Sequence, residues 1–305
     1  MTAAIDAIDL KSDSALGESS SHTHWQASLK LRFENRSGKN VLTNVAHRGP
    51  LRVQRAFYPE GDRVPHIYLL HPPGGLVAGD QLTISVDVAA HSHGLISTPS
   101  AGRVYKNIHQ HREQTQSVVA NIEPDALLEW LPQENIVFAG ANAANINRFN
   151  LVGDTSQLSA WDITCLGRPA GNLLFDAGIL KQKFEVWRGK EPLLLERAVF
   201  KGGDALLEKT WGMQGYTVMG TFVQTLGEMQ HAPNELADVL KALKQQLQQE
   251  NTQYRFALTE RRGLIIARYL GHSAIQAREL FTDVWGATRQ NQIGLIACPP
   301  RIWFT

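Results

Sequence analysis

Short apolar runs that alternate with period two, cut at turn-like intervals by Gly, Pro, Asn and Asp, constrain this chain more than any other feature. Leu51 to Tyr58, Leu82 to Val88, Ala126 to Leu131, Leu158 to Leu166, Phe184 to Trp187 and Leu193 to Phe200 carry the pattern. Successive side chains of a strand point to opposite faces, so this period predicts strands. The breakers between them include Gly61-Asp62, Pro72-Pro73-Gly74-Gly75, Gly153-Asp154 and Gly202-Gly203-Asp204, which are turn-forming combinations. No repeat of fixed length recurs, so a regular repeat array is not indicated.

Two late segments follow a different period. After Pro233, residues Leu236, Val239, Leu240, Leu243 and Leu247 recur at helical spacing with Lys and Gln between them, which predicts an amphipathic helix. A second helix is expected from Ser273 to about Thr288, with the Ser273 hydroxyl capping the first turn and Gln276 reaching back. It carries Leu280, Phe281, Val284 and Trp285 inward. Between the helices, Tyr254 to Leu258 and Leu264 to Tyr269 read as strands paired across Arg261-Arg262-Gly263. The predicted fold class is mainly β, with two α-helices in the C-terminal third. Residues 1–24, rich in Ser, Ala and Asp, read as a flexible tail before a single domain over residues 25–305.

Thirty basic against 29 acidic residues leave a net charge of +1, so no bulk field attracts nucleic acid or an anionic membrane. No apolar run approaches the roughly 20 residues that a membrane helix needs. Met1 to Leu10 lacks the basic start and apolar centre of a secretion signal, and the expected location is the cytoplasm. Cys165 and Cys298 stand far apart with no second thiol near either. They make neither a thiolate cage nor a CxxC pair and read as buried thiols, a long-range disulfide being the formal alternative.

Gly74 to Gly79 has the GxxxxG spacing of a phosphate loop, but Asp80 and Gln81 follow where Lys and Ser or Thr are needed. A carboxylate there repels phosphate, so the chain is not expected to hydrolyse nucleotide. HExxH, GxSxG and GxGxxG are all missing. Three His-x-His pairs, His22/His24, His91/His93 and His109/His111, stand among the 11 histidines. Such pairs are either metal ligands sharing a strand face or surface histidines near turns. The acids inside strands are more informative. Asp162 shares a face with Leu158, Ala160 and Leu166, Glu196 with Leu194, Ala198 and Phe200, and Glu129 lies between Leu127 and Leu131. An isolated buried carboxylate costs several kcal/mol, so each is paired with a cation such as Arg168, Arg197 or Arg148, is protonated, lines a wet channel through the body, or stands on a face that is in solvent after all.

Several separated motifs then fall in one order: Tyr68 to Asp80 (YLLHPPGGLVAGD), Thr98 to Tyr105 (TPSAGRVY), Glu129 to Glu134 (EWLPQE), Gly140 to Asn142 (GAN), Trp161 to Pro169 (WDITCLGRP), Glu191 to Arg197 (EPLLLER) and Pro300 to Thr305 (PRIWFT). Over Trp25 to Thr305 the chain resembles the urease accessory protein family UreD, also called UreH. The resemblance implies a layered, β-helix-like fold and a scaffold rather than an enzyme. Its expected partners are apo-urease subunits, UreF and the GTPase UreG, and its task is GTP-dependent nickel insertion with no tightly bound cofactor, only nickel in transit. It further implies an internal nickel path, carried over to Asp80, Asp162 and Glu196. A UreF contact at the C-terminus would fall on Ile302, Trp303 and Phe304, which either anchor a partner or pack back onto the protein's own sheet. The alternative from another class is a β-rich hydrolase that uses paired carboxylates such as Asp162 and Glu196 as acid and base.

Overall fold

A computed structural model describes residues 26–108, 112–226, 233–247 and 253–304. The expected tail and the His22/His24 and His109/His111 pairs lie outside these residues. The strands in chain order are β1 (Gln26–Arg36), β2 (Lys39–Arg48), β3 (Arg52–Val53), β4 (His66–Leu70), β5 (Gln81–Val88), β6 (His93–Ser97), β7 (Gly102–Val104), β8 (Gln114–Ile122) and β9 (Leu127–Trp130). They continue with β10 (Asn135–Val137), β11 (Ala141–Leu151), β12 (Gln157–Leu166), β13 (Gly178–Arg188), β14 (Glu191–Lys201), β15 (Val218–Thr225), β16 (Arg255–Arg261) and β17 (Leu264–Gly271). The helices are α1 (Ala205–Glu208), α2 (Pro233–Leu247) and α3 (Ala274–Ile293).

The strands form two layers. One runs β14-β13-β11-β8-β5-β1-β2, and the other runs β16-β17-β15-β12-β9-β6-β4-β3 with β7 and β10 attached beside β12. From β4 to β13 the chain crosses repeatedly between the layers, and the neighbours it lays down, β5 on β8, β8 on β11 and β11 on β13, are parallel. The same holds for β4, β6, β9 and β12 in the other layer. This is the layered, β-helix-like architecture that the family resemblance implied, built from the strands that the alternating runs predicted. Parallel strands need a crossover, and here the opposite layer supplies it.

Leu31, Phe33, Val86, Phe149 and Phe184 of the first layer pack between the sheets against Ile67, Ile96, Leu128 and Leu158 of the second. A second core lies on the outer face of the second layer, where Trp161, Ile163 and Phe222 are covered by Phe281 and Trp285 of α3. Because both faces of that layer are buried, β9 and β12 read as nearly continuous apolar runs. A third cluster, with Ala143, Leu166, Leu180 and Phe200, closes the other end of the sandwich.

Three elements depart from expectation. The Leu51 to Tyr58 run pairs only as Arg52–Val53 and at a single bridge through Phe57, because it lies at the edge of its layer beside β4 alone. Ser273 does cap α3 by accepting from the Gln276 N–H at 3.2 Å, but the Gln276 side chain accepts from the Tyr269 hydroxyl at 2.9 Å instead of reaching back. The helix continues past Thr288 to Ile293, where Gly294 ends it in the left-handed region at φ 67°. The single turn α1, capped by Asp204, is a third helix.

The layers approach closely at Gly94, where an added Cβ would meet ring carbons of Phe33 at 2.6–2.8 Å. Phe33 is wholly buried, so its ring has no room to retreat. Gly94→Val is therefore expected to destabilise the protein by about 1–3 kcal/mol, measured as a lowered denaturant midpoint.

Candidate functional site

The inward faces of the central strands change character at one level of the sandwich. Along β12 the inward residues are Leu158, Ala160, Asp162, Thr164 and Leu166; along β11 they are Ala143, Asn145, Asn147, Phe149 and Leu151; along β13 they are Leu180, Gln182, Phe184 and Val186. Each strand is apolar at both ends and polar in the middle. The parallel register aligns Asn145 with Gln116 on one side and Gln182 on the other. Thr221 lies opposite Asp162 and Arg268 opposite Thr221. The outcome is a polar belt crossing the interior between two apolar cores.

Asp162 is the centre of the belt. Its carboxylate accepts from Asn145 Nδ2 at 2.9 Å, Asn147 Nδ2 at 3.0 Å, Gln182 Nε2 at 3.1 Å and the Thr164 hydroxyl at 3.5 Å. Every one of these donors is neutral. Burial pushes the Asp162 carboxyl above the ordinary carboxylate value, and the surrounding amides offset only part of that. Asp162 also lines two cavities that meet at it. One, of about 530 Å³, opens past Glu196, Thr221 and Arg268; the other, of about 420 Å³, extends past Asn135 and Gln133 to His71, Gly75 and Arg103.

The other residues expected on a nickel path fall in different settings. Glu196 lines the first cavity, where it accepts from the Thr221 hydroxyl at 2.7 Å and from Arg268 Nε at 2.8 Å. Its cation is thus Arg268, whereas Arg197 bonds Glu185 at 2.8 Å. Asp80 is buried and does not line the second cavity as a bare carboxylate; its Oδ2 accepts from the Val77 N–H at 2.9 Å and closes the glycine-rich turn. His71, at the mouth of that cavity, has a pKa lowered by burial, which the nearby Asp80 carboxylate opposes. Sequence reasoning missed Asn145, Asn147 and Gln182. The signal was there: amides at alternate positions on an otherwise apolar face.

Glu129 is a different kind of acid. It faces α3, away from the belt, and accepts from Trp285 Nε1 at 2.7 Å, Arg289 Nε and Nη2 at 2.9 Å each, with His93 Nε2 at 2.9 Å. Arg289 continues to Glu60, with Nη1 at 2.6 Å and Nη2 at 3.0 Å. Burial alone would raise the Glu129 carboxyl, but Arg289 and His93 outweigh it and hold the group far below the usual range. His93, half of one predicted His-x-His pair, thus serves this network, while His91 is exposed with its Nδ1 3.5 Å from Asp125.

At the C-terminus, Trp303 donates from Nε1 to the Ser97 hydroxyl at 2.8 Å and its ring lies 5.4 Å from Trp161. The Tyr68 hydroxyl faces the backbone of Arg301 and Ile302, which opposes part of the rise that burial gives its pKa. Of Ile302, Trp303 and Phe304, Phe304 is the exposed one, at 78%. No helix among the described residues is long and apolar enough to cross a membrane.

The fold is thus a two-layer β-coil with a polar belt through its interior, and comparison with known proteins is more specific. The family described as UreD urease accessory protein matches residues 26–304. The urease accessory protein UreD of Saccharophagus degradans is 40% identical over 281 residues, covering 92% of this chain and 93% of that one. Those of Hahella chejuensis and Pseudoalteromonas translucida are each 38% identical, the former over 92% of this chain and 91% of its own length, the latter over the whole of both. The chain belongs to the UreD family of urease accessory proteins.

Removing the Arg289 guanidinium would leave Glu129 and Glu60 buried without their cation. Arg289→Met is expected to destabilise the protein by about 3–5 kcal/mol. In the native protein the Glu129 contribution is present above the unfolded carboxyl value of 4.5 and is lost as pH falls below it. The variant's acid-denaturation profile, followed by circular dichroism, should lose that steep limb.

Proposed function

We propose that this chain is a non-enzymatic scaffold that, with UreF, UreG and apo-urease, conducts nickel toward the urease active site along the polar belt. The observation that carries the reading is Asp162: a buried carboxylate at the junction of two cavities, held by neutral donors alone. A carboxylate without a cation in a low-dielectric interior favours a proton or a passing metal ion. Oxygen donors bind nickel weakly compared with imidazole or thiolate, which suits transit. Nickel is cargo here: it displaces the Asp162 proton on arrival and is released as the proton returns. Glu196 beside Arg268 serves as the gate on one side, and Asp80, which closes the turn from Val77, lies near His71 on the other.

A hydrolase would need two acids converging on one substrate, one of them free to give up and regain a proton. Glu196 is tied to Arg268 and Thr221, and Asp162 is wrapped by amides, so the transit reading is favoured. For partners, Phe304 is the anchor best placed to meet UreF, since Trp303 packs against the protein's own Trp161.

Co-expression with urease subunits, UreF and UreG tests the path. Asp162→Asn removes the charge while keeping the shape. It is expected to change stability by no more than about 1 kcal/mol and to strip most of the nickel from purified urease, whereas nickel content equal to that with the native chain would refute the path. Phe304→Ala should weaken co-purification with UreF without altering the thermal midpoint; undiminished recovery of UreF would remove Phe304 from the interface.

A further inference from the structure

The buried network that begins at Glu129 ends in a cluster that the belt does not use. Ligand atoms of Glu60, His66 and Cys298 lie within 4.8 Å of one another. They come from three places: the turn before β4, the first residue of β4, and the segment that follows α3. His66 is wholly buried; its Nε2 lies 2.8 Å from Glu60 Oε1, and its Nδ1 has no hydrogen-bond partner. The carboxylate of Glu60 is aimed by Arg289. Arg289 also donates to the Ile296 carbonyl at 2.7 Å, just ahead of Cys298.

Charge balance sharpens the reading. Glu60 and Glu129 carry two negative charges and Arg289 one positive. The two carboxylates and the guanidinium by themselves leave one negative charge in excess, an unfavourable balance for buried groups. A divalent cation bound by a Cys298 thiolate adds two positive charges and one negative, and brings the sum to zero. One sulfur, one imidazole and one carboxylate are the donor set of a zinc-type ion rather than of magnesium or calcium. Arg289 then has the role that outer partners play in such sites, fixing the orientation of a ligating carboxylate.

We infer that Glu60, His66 and Cys298 form a resident site for one zinc-type divalent ion, separate from the belt, which staples the C-terminal segment to β4. Binding releases the Cys298 thiol proton to solvent, and His66 ligates through one ring nitrogen. The half-buried Cys298 gives the ion its way in, and water completes the coordination. The site differs in kind from Asp162: a thiolate retains its ion, whereas the belt must let nickel go.

The test is a cobalt titration of the full-length protein after chelator treatment under reducing conditions. The expected result is a thiolate-to-cobalt charge-transfer band that saturates at one equivalent and disappears when zinc is added. Cys298→Ser, a near-isosteric change on a half-buried segment, should abolish the band, and Cys165→Ser should keep it. Absence of the band in the native protein, or its persistence in Cys298→Ser, would overturn the site. Because the readout is metal binding rather than urease activation, its outcome is independent of the Asp162 experiment.

Discussion

The paired Glu129 and Arg289 side chains are the interaction on which the arrangement of the other elements rests. Glu129 on β9 holds Trp285 and Arg289 of α3 and His93 of β6, and Arg289 reaches on to Glu60. A buried ion pair of this kind adds little net stability over a well-packed apolar one. What it does is select a position: one seating of α3 satisfies the Trp285 indole and the guanidinium together, and any slip of the helix along the sheet strands a charge. With α3 seated, the outer face of β12 is covered by Phe281 and Trp285. That leaves the inner face of the same strand free to carry Asp162.

The coiled topology then does what an ordinary sandwich does less readily. Each passage of the chain adds a strand in parallel register to its layer, so residues at one level of successive strands stand side by side. Asn145 between Gln116 and Gln182 is such a row. A polar residue on one inward face costs several kcal/mol when alone. Repeated at the same level on neighbouring strands, the amides of Asn145, Asn147 and Gln182 converge on the Asp162 carboxylate, and the cost is offset by those hydrogen bonds. The apolar clusters on either side keep the layers together where the belt interrupts them.

Local patterning made most of this legible, and side-chain pairing made the rest obscure. Alternation placed β5, β12 and β14 nearly to the residue, and the period of 3.6 placed α2 and the start of α3. The end of α3 escaped because Thr288, Arg289 and Gln292 are polar yet buried, so the apolar stripe that marks a helix stops before the helix does. Asp162, Glu129 and Glu196 were visible as acids on apolar faces. Their partners were not, since Arg289 lies 160 positions from Glu129 and Arg268 lies 72 from Glu196. Asp80 shows the opposite limit, for family motif and burial both mark it, but its carboxylate closes a turn through Val77.

Two carboxylates on adjacent strands of one layer thus have opposite fates. Glu129 and Asp162 are both buried, so desolvation works against ionisation in each. A guanidinium beside Glu129 reverses that penalty and drives its pKa down; four neutral donors around Asp162 do not, and its pKa stays raised. The first acid therefore has a counter-charge built into the fold, which is what a structural clasp requires. The second has its lone pairs oriented and its charge uncompensated, at the point where two cavities meet. The nickel path proposed above therefore runs through the one of the two carboxylates that the fold does not neutralise.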